Sequence, residues 1–258
     1  MDDVLDLGRE ELREIGTRVH EAAGSPTEPF GIYALSWDSP DSKLARWVES
    51  SVFGEFFGNS PEMLAREYAP YEQASVLLCA LDHHRKLPAG MMRLLLPSEC
   101  GFKTLDDIER VWGRPIDEVL RATNPEFDRD HLMDVATIAV APDYRREATD
   151  GLVSLSLYQA LGYVARWRDL RWIVTVLDTN ALELVQEATL DAFAPFAGVE
   201  AREYLDSPAS LPVWCDLDAY FRRIEVTDPV AYELFAEGRG LEAAVRPLQR
   251  SEAPAMAR

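Results

Sequence analysis

Hydrophobic and polar residues follow two different periods along this chain, and each change of period marks a predicted helix or strand. Residues 2–23 repeat apolar side chains at helical spacing opposite an acidic face, which predicts an amphipathic N-terminal helix. A second helical pattern over residues 44–57 carries aromatic side chains. Ser60 and Pro61 are typical of an N-cap and a first helical residue, so they predict a short helix through Tyr68.

Short apolar runs bounded by turn residues predict seven strands. The runs are 31–36, 75–81, 90–96, 133–141, 172–177, 199–205 and 211–217. A polar turn joins the second run to the third, which predicts an antiparallel hairpin. A helical pattern over 151–168 separates the fourth run from the fifth. A strand–helix–strand unit needs a right-handed crossover and parallel pairing, so the fold class is α+β, with a mixed, mostly antiparallel sheet flanked by helices.

Three more helices are predicted between these strands, and the chain divides into three parts. The helices are 104–112, 116–122 and 180–189, the last with Asn180 as its N-cap. The predicted parts are an N-terminal helix and linker over 1–30, a central domain over 31–217, and a C-terminal helical extension and tail over 218–258. We expect the extension to be helical to about residue 248 and residues 251–258 to be disordered.

Composition and charge exclude several classes of function. The chain has 258 residues, with 26 Lys and Arg against 45 Asp and Glu, so its formal net charge is −19. Nucleic acids and anionic membranes are bound by clustered basic residues, so neither is an expected partner. The only cysteines are Cys79, Cys100 and Cys215, and an odd, sparse set predicts neither a disulfide framework nor a zinc site. We expect a cytoplasmic, metal-free protein without a signal peptide.

Two adjacent arginines give the sequence its clearest chemical signal. Arg145 and Arg146 lie in a polar loop after a predicted strand and shortly before a predicted helix that begins near Gly151. A helix N-terminus offers free N–H groups and a positive dipole end, and arginines beside it suit a pyrophosphate. The alternative is that both arginines are solvated loop residues.

The order of these elements, with Val140-Ala141-Pro142 and the arginines, resembles the GNAT acyltransferases. The resemblance implies that the strand ending in V-x-P splays from the next strand and that an acyl-CoA co-substrate lies in the gap. Backbone N–H groups of the strand end, Ile138, Ala139 and Val140, would then hold the acyl carbonyl. Arg145, Arg146 and Gly151 would bind the pyrophosphate of the CoA.

A narrower resemblance covers about residues 75–190. Gly90-x-x-Arg93-Leu94-Leu95-Leu96-Pro97 is similar to the G-x-x-R-L-L-P segment of acyl-homoserine lactone synthases and long-chain N-acyl amino acid synthases. The strand motif E-x-S-R of those proteins is matched by Asp134 at its acidic position, whereas Thr137 replaces its arginine. Because that arginine is missing, we do not predict lactone signal synthesis.

Three charged residues are candidates for the chemistry of amide formation. Asp134 lies on a strand beside the predicted gap, where it either removes a proton from the amine or pairs with Arg93. Glu72 is the second candidate base, with a solvated loop acid as its alternative. Arg93 interrupts an apolar strand and must be paired if buried. It either binds a carboxylate of the acceptor or forms a structural ion pair with Asp134 or Glu72.

The sequence thus predicts an acyltransferase that moves an acyl group from an acyl-CoA, or from an acyl carrier protein, to an amine or amino-acid-like acceptor. A carrier protein is acidic and would be repelled by the net charge, so free acyl-CoA is the better donor. A second hypothesis is an acyl-CoA-binding or regulatory module without catalysis. It is favoured by a glycine-poor loop and by Glu187, which stands about where many GNAT enzymes carry a tyrosine. A homodimer is compatible with either hypothesis.

Overall fold

One mixed sheet forms the centre of the protein in a computed structural model that describes residues 7–249. Its strands are β1 (Phe30–Ser36), β2 (Ser75–Asp82), β3 (Leu87–Leu95), β4 (Leu132–Val140), β5 (Trp172–Asp178), β6 (Ala194–Pro195), β7 (Arg202–Tyr204), β8 (Ser207–Asp216) and β9 (Val245–Arg246). The order across the sheet is β6-β8-β5-β4-β3-β2-β1-β9, and β7 also pairs with β8. The β4–β5 and β1–β9 pairs are parallel and the others antiparallel, which confirms the predicted fold class.

Helices cover both faces of this sheet. They are α1 (Arg9–Ala22), α2 (Lys43–Phe57), α3 (Pro61–Tyr68), α4 (Lys103–Arg110), α5 (Ile116–Thr123), α6 (Arg146–Thr149), α7 (Leu152–Arg168), α8 (Thr179–Thr189), α9 (Leu217–Thr227) and α10 (Pro229–Ala231), followed by a π-helical turn (Tyr232–Glu237). On β4, Thr137 bonds a residue of α2 and Asp134 bonds a residue of α4, whereas Val135 lies among residues of α7 and α9. The helices α2 and α4 therefore cover one face, and α7 and α9 cover the other.

Within residues 7–249 a side chain caps the N-terminus of four helices, α3, α8, α9 and α10. The Ser60 side chain accepts a hydrogen bond from the Met63 N–H at 3.2 Å, which confirms Ser60 as the N-cap of α3. The predicted N-cap of α8, Asn180, was wrong by two residues. Asp178 is the N-cap, since its side chain accepts hydrogen bonds from the backbone N–H groups of Asn180 and Ala181. The strand β5 runs directly into this helix, so the carboxylate at the strand end is the first cap available.

The C-terminal extension is only partly helical, contrary to the prediction. After the π-helical turn the chain becomes irregular and then forms β9, which pairs in parallel with β1 at the sheet edge. Val245 and Leu248 are buried in the same core as Leu12 and Val19 of α1, so both ends of the described chain pack on the central sheet. The predicted division at residues 30 and 217 stays a prediction. Residues 1–6 and the tail 251–258 lie outside the described part.

The strands β4 and β5 pair only briefly and then separate. Leu132, Met133 and Asp134 pair with Trp172, Ile173 and Val174, and no later residue of either strand is in register with the other. Against β3, Arg93 pairs with Thr137 but Leu94 pairs with Val135, so Ala136 is an extra residue in a β-bulge. A bulge bends and twists its strand. The predicted splay is thus present, and it begins at Asp134.

None of the helices in residues 7–249 is long and apolar enough to cross a membrane.

Candidate active site

An apolar cavity of about 60 Å³ lies beneath the gap between β4 and β5. The sheet contributes Met92, Val135, Ile138, Ile173, Thr175 and Leu177 to its lining, and α7, α8, α9 and the π-helical turn supply most of the rest. Thr175 places no free hydroxyl in the cavity, since it donates to the Val135 carbonyl oxygen at 2.7 Å. The lining therefore suits a hydrocarbon chain much better than a polar ligand.

Two backbone N–H groups of β4 face this gap. The Ala141 N–H donates to the Ala89 carbonyl oxygen of the β3 segment at 2.9 Å, and alternate residues of an antiparallel strand face the same neighbour. Residues 137, 139 and 141 therefore face β3, whereas Ile138 and Val140 face the gap beyond the last pair with β5. The expectation for Ala139 was wrong for this reason: its backbone belongs to the β3 ladder.

The arginine loop lies at the N-terminus of α7, as the sequence predicts. Arg145 donates to both carboxylate oxygens of Glu55 (3.3 and 2.7 Å), and Arg146 donates to Glu187 at 3.1 Å. Gly151 is the N-cap of α7 with φ +76°, and apart from its two chain neighbours no atom of the described residues lies within 4 Å of where a side chain would begin. The space above the helix start is thus open, and each arginine pairs with a carboxylate.

Arg93 is completely buried in a network of charges on the opposite face of the sheet. Its guanidinium donates to both oxygens of Glu49 (3.0 and 2.7 Å), to Glu72 at 3.2 Å and to Ser75 at 3.3 Å. Thr137 donates to the same Glu49 at 2.6 Å. The predicted pairing with Glu72 is present and that with Asp134 is absent. These four bonds to protein groups favour a structural role for Arg93, and its predicted role in binding the acceptor stays a prediction.

Glu72 is held as an ion by this network. Arg46 donates to both of its oxygens, at 3.0 and 2.6 Å, in addition to the bond from Arg93. Burial of Glu72 opposes its charge, but the hydrogen bonds from Arg46 and the charge of Arg93 outweigh burial and lower its pKa. A carboxylate with a lowered pKa is a weak base, so the contacts favour a structural role over proton removal.

Asp134 is fully buried and bonded to one residue. The Thr104 backbone N–H and hydroxyl donate to its two oxygens at 2.7 and 2.8 Å, so Asp134 satisfies a free N–H group in the first turn of α4. Burial is the main influence on this carboxyl and raises its pKa to about 7. Asp134 stands at the point where β4 and β5 separate, but it does not line the cavity. Its catalytic role stays a prediction.

A tyrosine that the sequence analysis missed joins two buried charge clusters behind the bulge. Tyr68 has the Arg93 guanidinium 4.4 Å from its ring centre and the Lys103 ammonium 5.6 Å away, and its hydroxyl donates to the Ala136 carbonyl oxygen at 3.4 Å. Lys103 in turn bonds Asp107 at 2.7 Å. The i,i+4 spacing of Lys103 and Asp107 was readable in the sequence. The position of Tyr68 was not, since its partners lie on β3, β4 and α4.

Similarities to solved structures agree with this geometry. No protein-family model matches the chain, and no curated protein matches its sequence. The structure of FeeM, an N-acyl amino acid synthase from uncultured soil microbes, superposes with a TM-score of 0.53 at 11% identity over 76% of this chain and 95% of that chain. This similarity shows a shared fold, so the predicted GNAT-like resemblance is confirmed at the level of the fold.

Two further structures show weaker similarity. The acyl-homoserine lactone synthase LasI superposes with a TM-score of 0.47 at 13% identity, over 73% of this chain and 89% of that chain. A spermidine N-acetyltransferase from Vibrio cholerae, in complex with CoA and spermine, gives 0.45 at 13% identity, over 74% of this chain and 98% of that chain. Both TM-scores are below 0.5, so neither structure is used as an argument for the fold.

Proposed function

We propose that the protein is an acyltransferase that moves an acyl group from an acyl-CoA to an amine. The observation that carries this proposal is the gap between β4 and β5, with an apolar cavity below it and the N-terminus of α7 beside it. One end of the gap suits an anion and the other a hydrocarbon. An acyl-CoA has both of these parts, joined by an extended arm.

The reaction would be a direct attack of the amine nitrogen on the thioester carbon. The N–H groups of Ile138 and Val140 would donate to the carbonyl oxygen and stabilise the negative charge that develops on it. A C–N bond forms, the C–S bond breaks, and the thiol sulfur leaves with the electron pair. The amine must lose a proton on the way. Asp134, with a pKa of about 7, could accept it only through water, because this carboxyl is fully buried and does not line the cavity.

The pyrophosphate would displace two carboxylates from the arginine loop. The Arg146–Glu187 pair is exposed on both sides, and the Arg145–Glu55 pair is partly exposed. Exposed ion pairs of this kind typically contribute only about 0–1 kcal/mol, so exchange of Glu187 or Glu55 for a doubly charged phosphate group costs little. The net charge of −19 makes free acyl-CoA a better donor than an acidic carrier protein.

A second candidate function is an acyl-CoA-binding module without catalysis. The specific observation in its favour is the position of Glu187, which pairs with Arg146 instead of facing the gap as a proton donor. No tyrosine of α8 takes its place, since the described helix Thr179–Thr189 contains none.

One experiment separates the two functions. The protein is mixed with CoA, acetyl-CoA and acyl-CoAs of increasing chain length, and binding is measured by calorimetry. Thiol release is then followed with a panel of primary amines and amino acids. Binding with amine-dependent thiol release supports the enzyme, and binding without release supports the module. If no acyl-CoA binds, both proposals are wrong.

A matched pair of variants localises the site. Arg145→Ala should weaken the binding of acyl-CoA, whereas Arg129→Ala should not. Arg129 is a comparable exposed arginine that pairs with Asp117, away from the lining of the cavity. Equal effects of the two substitutions would contradict a pyrophosphate site in the loop after β4.

A further inference from the structure

The apolar cavity has room for only a short hydrocarbon chain. Its volume is about 60 Å³, whereas a cavity of about 150 Å³ in an apolar protein core holds benzene, a molecule of six carbons. In proportion, the smaller cavity holds about two or three carbons. The carbonyl of an acyl group would stay at the N–H groups of Ile138 and Val140, so these carbons are the ones beyond the carbonyl.

Two walls of the cavity are fixed by hydrogen bonds, so it does not widen easily around a longer chain. Arg166 of α7 donates to the Phe235 carbonyl oxygen at 3.0 Å and holds the π-helical turn against α7. Gln186 of α8 bonds both the N–H and the carbonyl oxygen of Phe193, at 3.0 and 2.7 Å. Phe193 and Phe235 both line the cavity. Since packed interiors resist expansion, the volume of the cavity limits the length of the chain.

The sheet closes the cavity on a third side. Ile173 lies in the lining, and it pairs with Met133 of β4 and with Cys215 of β8. The sheet is therefore continuous at Ile173, and a chain that enters from the gap between β4 and β5 cannot pass through the sheet there. A longer chain would have to strain these walls or leave part of its length in water.

The lining also excludes acyl groups that carry a charge. None of the residues within 7–249 that line the cavity is charged. The hydroxyls of Thr175 and Thr189 each donate to a backbone carbonyl oxygen at 2.7 Å. Burial raises the pKa of Tyr158 and of Cys215 to about 12, so both side chains stay neutral. A carboxylate in the cavity would have no cation beside it, and burying an unpaired charge is strongly unfavourable.

We propose that the donor carries a short, uncharged acyl group with two or three carbons beyond its carbonyl, as in propionyl and butyryl. The inference rests on the proposed function, because it names the acyl group of the same donor. An acetyl group would leave most of the cavity empty. Acyl groups of eight or more carbons would exceed its capacity about twofold or more.

The first test is a length series on the wild type. Dissociation constants are measured by calorimetry for CoA and for acetyl-, propionyl-, butyryl-, hexanoyl-, octanoyl- and decanoyl-CoA. Affinity should rise about fourfold with each carbon from acetyl to butyryl, since each buried methylene adds to the hydrophobic stabilisation, and it should be lower again for hexanoyl-CoA. Succinyl-CoA has the four carbons of butyryl-CoA with a carboxylate at the end, and it should bind at least about tenfold more weakly than butyryl-CoA.

A matched pair of variants tests whether this cavity sets the limit. Ile173→Ala removes three carbons from the lining, so the chain that binds most tightly should lengthen to hexanoyl. Ile32→Ala removes the same three carbons from an equally buried isoleucine of β1 outside the lining, and it should keep the wild-type optimum. Val185→Ala removes two carbons from the α8 side of the lining and should also favour hexanoyl, so it replaces Ile173→Ala if that variant does not fold.

The outcomes separate this inference from the proposed function. If acetyl-CoA binds as tightly as butyryl-CoA, or if hexanoyl-CoA or a longer chain binds most tightly to the wild type, the inference is wrong and the acyltransferase stands. An equal shift of the optimum in Ile32→Ala and Ile173→Ala also overturns it, because the limit then does not lie in this cavity. If no acyl-CoA binds, the proposed function itself fails.

Discussion

A single methyl group on Gly162 should loosen the C-terminal extension from the rest of the protein. Gly162 lies in the middle of α7, and a Cβ atom there would stand 2.3 Å from the carbonyl oxygen of Phe235 in the π-helical turn. Real Cβ atoms do not approach a backbone oxygen so closely, so the turn must move by about 1 Å to make room. Because Phe235 lines the cavity, the same movement changes the wall of the cavity.

Two opposing effects determine how much Gly162→Ala changes the free energy of unfolding. Replacing a helix-interior glycine by alanine gains about 0.5–1 kcal/mol of helix stability. Overpacking against a fixed neighbour costs about 1–3 kcal/mol. Gly162→Ala should therefore lose about 0–2.5 kcal/mol in the free energy of unfolding, and a loss near the middle of this range, about 1 kcal/mol, lowers Tm by about 2–4 °C for a chain of this size.

The control is a second glycine inside a helix. Gly54 lies in α2, and a Cβ there would be 3.5 Å from the Asn59 carbonyl oxygen, an ordinary contact. Gly54→Ala should raise Tm by about 2–4 °C, since it gains helix stability without a clash. Calorimetric melting of the two variants should give shifts of opposite sign. Shifts of the same sign and size would refute the docking of the extension against α7.

Three further substitutions test the charged groups. Arg93→Met should lower the free energy of unfolding by about 3–5 kcal/mol in denaturant titrations, because it leaves Glu49 buried and unpaired, and a loss below 1 kcal/mol would contradict the network. Asp134→Asn should change the pH dependence of Tm, because the pKa of Asp134 is about 7 in the folded protein and therefore higher than in the unfolded chain. The protonated carboxyl of Asp134 contributes stability that is fully present below about pH 4 and is lost as the pH rises to about 7. The Tm of wild type relative to the variant should fall across that window, and a constant difference would contradict the raised pKa. Arg146→Ala should weaken acyl-CoA binding in calorimetry while Tm without ligand stays within about 2 °C, since its pair with Glu187 is exposed, and unchanged affinity would remove Arg146 from the site.

Local patterns were enough to predict most of the fold. The β2–β3 hairpin and the parallel β4–β5 pair each join strands that follow one another along the chain. The period of the apolar residues predicts the strands, and the type of connection, a turn or a helix, predicts whether they pair antiparallel or parallel. The strand β9 could not be predicted in this way. It consists of two residues, Val245 and Arg246, and it exists only because β1 offers a free edge far away in sequence.

The sequence predicted where the arginines of the candidate site lie, but not which carboxylates they bind. The sequence placed Arg145 and Arg146 at a helix start, and it required a partner for a buried Arg93. It could not indicate Glu55 or Glu187, since these carboxylates lie 90 and 41 residues from the arginines that they bind. Contacts across such distances depend on how helices pack on the sheet, and single-residue patterns do not carry this information.

Thr137 stands where the related motif has an arginine, and this replacement concerns the acceptor side of the proposed reaction more than the acyl-donor side. Thr137 is in register with Arg93 and donates to the same Glu49, whose two oxygens already accept two bonds from that arginine. A second arginine there would place two cations against one buried carboxylate. The replacement of arginine by Thr137 therefore affects the charged network on the face of the sheet covered by α2 and α4. The backbone N–H groups of Ile138 and Val140 point within the sheet into the gap, and the apolar cavity lies on the other face, so neither feature depends on the residue at position 137. The structure thus supports an acyl donor more directly than a particular acceptor, and for this reason the acceptor panel must extend beyond the substrates of the proteins that share the motif.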